Sequence, residues 1–173
     1  MQRKEAEIET MRLYMRRPFN ADTLALEKLW RNEKVRKYLG GIVAPDELIT
    51  QKISFLQNQW DLHQFGLWTV FEKSANQITG LCGLYYSDDG VEISYMFFPQ
   101  YWGKGLAREA VIASINYGFK TLKMERIIAI TQVANSKSCQ LLNKIGMSHT
   151  SSFIRFNALQ CLYQITQNDW NMA

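Results

Sequence analysis

"FFPQYWGKGLAREA", Phe97 to Ala110, joins an apolar run to a helical pattern through a loop that carries two glycines and a lysine. Gly103 and Gly105 let the chain turn sharply, and they also let backbone amides approach a ligand. The helix behind them offers free N–H groups and the positive end of its dipole. Lys104 and Arg108 add positive charge nearby. A phosphate cradle and a bare strand-to-helix turn both satisfy these features. Two common phosphate motifs do not fit. GxxxxGK[ST] is absent, and Arg108 stands where GxGxxG needs its third glycine. What remains is a strand, then Gln-x-x-Gly-x-Gly, then a helix.

The flanking sequence assigns the elements around this loop. Upstream, "GLWTVFEK" (66–73), "QITGLCGLYY" (77–86) and "VEISYMFF" (91–98) are rich in β-branched and aromatic residues. The short polar pieces "SAN" and "SDDG" separate them, which predicts an antiparallel meander. Downstream, Leu106, Ala107, Ala110, Val111, Ile115, Phe119 and Leu122 follow a 3.6-residue period. "RIIAITQV" (126–133) is a continuous apolar run, as in a buried strand. "NSKSCQLLNKIG" (135–146) is a short helix with Asn135 or Ser136 as its cap and Gly146 as its stop. Two strands, 148–156 and 159–166, finish the chain around Asn157-Ala158.

At the other end, "MRLYMRR" (11–17) alternates and stops at Pro18, as a first strand does. "NADTLALEKLWRN" offers Asn20 or Asp22 as a cap and places Leu24, Leu26, Leu29 and Trp30 at helical spacing. "PDELITQKISFLQNQW" opens with Pro45 and carries a stripe of Leu48, Ile49, Ile53, Leu56 and Trp60. The order is β-α-α-β-β-β-α-β-α-β-β. The expected class is α+β: one mixed, mostly antiparallel sheet of seven strands flanked by about four helices. Strand 91–98, the helix and strand 126–133 form its parallel crossover. Residues 1–10 read as a loose leader and 11–173 as a single domain.

Composition narrows the function. A chain of 173 residues, 47% hydrophobic, buries enough core to need no disulfide or metal. No apolar run approaches the ~18 residues of a membrane span, and "MQRKEAEIET" lacks the apolar core of a secretory signal. The net charge of +4 suits a small anionic ligand such as a nucleotide. The nearest thing to a basic tract, "WRNEKVRK", is interrupted by Glu33 and reads as a solvated helix face, which argues against nucleic acid. Cys82, Cys139 and Cys161 are odd in number and far apart, with no CxxC. They imply a reducing, cytoplasmic compartment and no zinc site. His63 and His149 are isolated and read as structural.

Gln100-Tyr101-Trp102-Gly103-Lys104-Gly105-Leu106-Ala107 resembles motif A, [QR]-x-x-G-x-[GA], of the GCN5-related N-acetyltransferase (GNAT) superfamily. "TMRLYMRRPFNADTLALEKLW" resembles the opening of its ribosomal-protein branch, the RimJ and RimL types. "VEISYMFFPQYWGKGLAREAV" and "VANSKSCQLLNKIGM" resemble that branch's central strand, loop and N-x-x-S helix. The pieces occur in family order over about residues 10 to 170. The resemblance implies acetyl-CoA as donor, lying in a V-shaped cleft between strands 91–98 and 126–133. Amides from Tyr101 through Trp102, Gly103, Lys104, Gly105 and Leu106 to Ala107 would hold the pyrophosphate, with Gln100 as a matching motif position. Backbone groups of Met96, Phe97 and Phe98 would pair with pantetheine, and Asn135 would bond the same arm.

Direct transfer of an acetyl group to an amine needs a base, because the amine is protonated at neutral pH. Glu92 is the only ionisable side chain in "VEISYMFF" besides the tyrosine, and alternation places it on one face with Ser94 and Met96. Many relatives supply a tyrosine acid seven residues after the asparagine; Leu142 stands there. By resemblance Ser138 would steady the departing thiolate, with Tyr163 a further candidate. "GGIVAPDELI", Trp60, Phe65 and Trp68 would border the acceptor entrance, where Asp46 and Glu47 could attract a cationic amine. The leading expectation is an acetyl-CoA-dependent N-acetyltransferase, monomeric or homodimeric, acting on a protein N-terminus or small amine. A silent acyl-CoA-binding sensor and a nucleic-acid-binding protein are the alternatives.

Overall fold

Alternation in the middle of the chain becomes one sheet, and the helical stripes cover its two faces. The computed structural model describes residues 7–41 and 46–172. Its strands are β1 (Ile8–Glu9), β2 (Leu13–Arg16), β3 (Leu67–Glu72), β4 (Gln77–Ser87), β5 (Gly90–Phe97), β6 (Arg126–Gln132), β7 (Ser148–Arg155) and β8 (Ala158–Thr166). Its helices are α1 (Thr23–Trp30), α2 (Glu33–Arg36), α3 (Asp46–His63), α4 (Leu106–Lys120), α5 (Ser136–Lys144) and α6 (Gln167–Met172). The strand order is β1-β2-β3-β4-β5-β6-β8-β7. β5 and β6 run parallel and every other pair is antiparallel.

The period of two sorts side chains between the faces. Leu13, Met15, Trp68, Val70, Cys82, Leu84, Ile93 and Phe97 point to α4, where they meet Leu106, Ala110, Val111, Ile115 and Phe119. Leu67 and Leu81 point the other way, onto Leu26, Leu29, Trp30, Ile49 and Leu56 of α1 and α3. Trp60 and Phe65 belong to the first of these cores. α1 is anchored by a buried fork: Arg16 Nη1 and Nη2 donate to the two Asp22 oxygens at 2.8 Å each. Thr69 and the Phe19 amide donate to the same carboxylate. Asp22 therefore precedes α1 without capping it through its side chain.

Several local expectations differ from the structure. The sheet has eight strands among the described residues, because Ile8–Glu9, inside the supposed loose leader, pairs with Met15 and Tyr14. Such a two-residue strand leaves no periodic trace. α2 and α6 are short additions of the same kind. Leu24 and Leu48 are exposed, so each apolar stripe is narrower than its spacing suggests. The last hairpin turns at Phe156-Asn157, both with positive φ, one residue before the expected pair. Pro45 lies outside the described residues.

One irregularity makes room for a ligand. β5 pairs with β4 along its length, from Ser87–Gly90 to Gly80–Phe97. Against β6 it has a single paired position, Glu92 with Ile128. Beyond that pair the two strands diverge, and their carboxyl ends frame an open cleft, the usual ligand position where a parallel pair is flanked by helices. Gly80 keeps the end of β5 tight on β4: an added Cβ would stand 2.1 Å from the Met96 carbonyl oxygen.

Candidate functional site

The cleft holds about 670 Å³. Its mouth is made of backbone. After β5 the chain makes a single 3-10 turn, Pro99–Tyr101, and then passes through Gly103 (φ 74°) and Gly105 (φ 77°) into α4. Both glycines need the left-handed region that other residues avoid. α4 starts at Gly105 with no side-chain cap, so its first-turn amides face the cleft mouth without one. Tyr101 and Trp102 fix the loop from below. Tyr101 is buried and its hydroxyl donates to Gln77 Oε1. Trp102 Nε1 donates to the Phe97 carbonyl at 2.7 Å.

The apex is made of side chains. Glu92 is 9% exposed and sits at the one β5–β6 pair, where the strands part. Burial pushes its carboxyl above the ordinary value of 4.5, against hydrogen bonds from Tyr85 and Ser87 that favour the anion. Tyr85 is its direct cross-strand partner on β4. On the opposite face of β5, the Tyr95 hydroxyl lies 2.6 Å from Ser138 Oγ. Burial raises Tyr95 well above the usual phenol range, so it keeps its proton at neutral pH. Ser138 stands in the first turn of α5, whose cap Asn135 accepts the Ser138 amide at 3.4 Å.

Most residues expected at the site line this cleft: Glu92, Met96, Phe97, Tyr101, Trp102, Gly103, Gly105, Leu106, Ala107, Asn135 and Ser138. Phe98, Gln100 and Lys104 do not. Phe98 packs between the cores, Gln100 is exposed, and the Lys104 ammonium lies over the Tyr101 ring. Tyr163 is buried beside His149 and Cys139, away from the cleft lining. Trp60, Phe65 and Trp68 are core residues and do not border the cleft. Asp46 is exposed and bonds Arg31. Residues 42–45 and the Glu47 side chain lie outside the described residues.

Sequence reasoning missed two groups. Alternation sets Tyr95 only on the strand face opposite Glu92, and its bond to Ser138 crosses 43 positions. Lys34, Lys37 and Tyr38, from α2 and the turn after it, also line the cleft. The i, i+3 spacing of the lysines was the available signal. With Arg108 and Lys137 they set four cations against one carboxylate, Glu92, among the described lining residues. No group of three or more His, Cys, Asp or Glu that could hold a metal occurs among the described residues. None of the described helices is long and apolar enough to cross a membrane, and the three cysteines are free.

The comparisons with known proteins agree with this geometry. A family model described as "Acetyltransferase (GNAT) domain" matches residues 12–148. The chain is 32% identical over 143 residues to "Uncharacterized N-acetyltransferase p20" of Bacillus licheniformis, covering 79% of each. Its structure is similar to a GNAT-family acetyltransferase from Bacillus anthracis, with TM-score 0.76, 28% identity, and 95% and 98% of the two chains covered. A spermidine N-acetyltransferase from Vibrio cholerae, solved in complex with CoA and spermine, shares the fold with TM-score 0.78 at 19% identity, over 94% and 99% of the chains.

Proposed function

The chain belongs to the GNAT acetyltransferase family, and from that premise we propose that it moves an acetyl group from acetyl-CoA directly onto a primary amine inside the cleft between β5 and β6. The observation that carries the reading is the division of that cleft into an amide-lined mouth and a carboxylate apex. The amides around Gly103, Gly105, Leu106 and Ala107 hold the pyrophosphate. Backbone groups at Met96 and Phe97 pair with the pantetheine arm as an added strand would, and Asn135 contributes its amide NH2.

Glu92 takes the proton that the acceptor ammonium must lose, directly or through water. Its raised pKa brings it closer to the working pH than an exposed glutamate. The freed amine attacks the acetyl carbonyl carbon, and β5 amides donate to the oxygen as it gains charge. When the C–S bond breaks, the sulfur keeps the electron pair. Ser138, held by Tyr95, donates a hydrogen bond that steadies the thiolate in place of the tyrosine absent at Leu142, and the proton that the new amide nitrogen sheds passes to the sulfur.

Leu142 also favours a second reading, an acyl-CoA-binding module without turnover. Turnover against a panel of peptides and small amines separates the two: coenzyme A binding with no turnover on any acceptor would support the module. The cationic lining speaks to the acceptor as well. Lys34 and Lys37 repel a polycation, so a neutral or anionic molecule bearing one amine suits this cleft better than spermine. In the acceptor panel, peptide N-termini should be turned over faster than spermidine. The reverse order would remove this preference.

A further inference from the structure

The glycine loop is tied down from outside the cleft. Arg12, just before β2, donates Nη1 to the Lys104 carbonyl oxygen at 2.8 Å. Its Nε and Nη2 each reach Glu109 Oε2 at 2.7 Å. The Arg12 amide and the Thr10 hydroxyl donate to the other carboxylate oxygen at 2.9 and 2.6 Å. Burial alone would raise the Glu109 carboxyl, but these donors outweigh it and hold it below its ordinary value. Glu109 is thus an anion in the first turn of α4, with four donor groups turned onto it.

The peptide between Lys104 and Gly105 is trans. In a trans peptide the C=O of one residue and the N–H of the next point in opposite directions. Arg12 grips the Lys104 carbonyl from the outer side, where it is not part of the cleft lining. Gly105 borders the cleft. Holding the carbonyl outward therefore aims the Gly105 N–H inward. The second contact acts in the same direction: Arg12 neutralises Glu109, whose charge would otherwise oppose an anion at the start of α4. A guanidinium fork can hold a carbonyl and a carboxylate in one fixed geometry, which an ammonium cannot. Stability is a weak reason for such a pair, because its Arg12 side chain is 43% exposed and surface ion pairs contribute little.

We propose that Arg12 is a positioning residue for the diphosphate of the bound coenzyme: it sets the Gly105 amide from the far side of the loop and never touches the ligand. The proposal rests on the coenzyme A reading above.

The test titrates wild type, Arg12→Gln and Arg12→Lys with three ligands. These are coenzyme A, dephospho-coenzyme A, which keeps the diphosphate, and pantetheine at millimolar concentration, which lacks it. Both variants should bind the first two ligands about tenfold more weakly and pantetheine as wild type does. Melting temperatures without ligand accompany each titration and report whether the variants fold. An equal loss for pantetheine would make Arg12 a scaffold residue and overturn the proposal. Wild-type affinity in Arg12→Lys would overturn it too, since charge without the fork would then suffice. Wild type that binds no coenzyme A would sink the cofactor reading itself, whereas unchanged coenzyme A binding in both variants sinks the positioning role of Arg12 alone.

Discussion

The two ends of the cleft are built from different material. At the mouth, Gly103, Gly105 and the start of α4 offer main-chain N–H groups. At the apex, side chains act instead: Glu92 on one face of β5, and on the other Tyr95 bonded to Ser138 of α5. Backbone binds a charged group whose position does not change during the reaction. Side chains with shifted acidities handle the protons that do move. The division predicts that damage at the apex lowers kcat and that damage at the mouth weakens coenzyme binding.

Glu92→Gln should have the strongest effect. Removing a general base costs roughly 10² to 10⁴ in kcat, while affinity for acetyl-CoA should stay within about twofold of wild type. A binding titration beside steady-state kinetics checks both, and a large loss of affinity would erase the division between the ends. Gly105→Val should do the reverse. A β-branched residue at φ 77° is strained, and its Cβ would stand 3.4 Å from Arg12 Nη2. Affinity for acetyl-CoA should fall about tenfold or more at nearly unchanged saturating kcat. If kcat falls and affinity survives, the loop is not the binding end.

Tyr95→Phe and Ser138→Ala should each lower kcat by about tenfold, and the double variant should be little worse than either, because the two hydroxyls act as a unit. Additive losses would mean two independent roles. The smallest effect concerns pH. Glu92 has a raised pKa in the fold. Below the ordinary value of 4.5 the carboxyl is protonated folded or unfolded, and it contributes no difference. As pH rises past that value the unfolded state ionises first, so the fold loses stability until pH exceeds the raised value. Glu92→Gln should therefore melt slightly above wild type at neutral pH, with the gap closing under acid conditions. The acid limb of kcat/KM in wild type should lie above the ordinary carboxylate range. A gap that widens in acid would reverse the assigned shift.

The same contrast explains what could be read from the chain alone. The mouth was legible because its requirements are local. Positive φ needs Gly103 and Gly105, and the stripe from Leu106 to Phe119 marks the helix directly behind them. Alternation in "VEISYMF" placed Glu92 on the face away from Ile93 and Tyr95. The apex was only half legible. Tyr95 gains its meaning from Ser138, and no local pattern joins residues 43 apart. Arg12 and Glu109 are 97 apart, and Thr10 looks like the end of a leader and Arg12 like an ordinary first-strand residue until β1 folds onto β2. Lys34 and Lys37 look like an ordinary solvated face because α2 has one turn and little periodicity to show which side it presents.

Amide hydrogen exchange with and without acetyl-CoA tests the cleft most directly. Gly103, Gly105, Leu106 and Ala107 at the mouth and Ser94 to Phe97 on β5 should slow when acetyl-CoA is added, while the β7–β8 hairpin exchanges as before. Unchanged exchange at both places in saturating acetyl-CoA, or protection confined to the outer face of the sheet, would contradict a coenzyme site between β5 and β6.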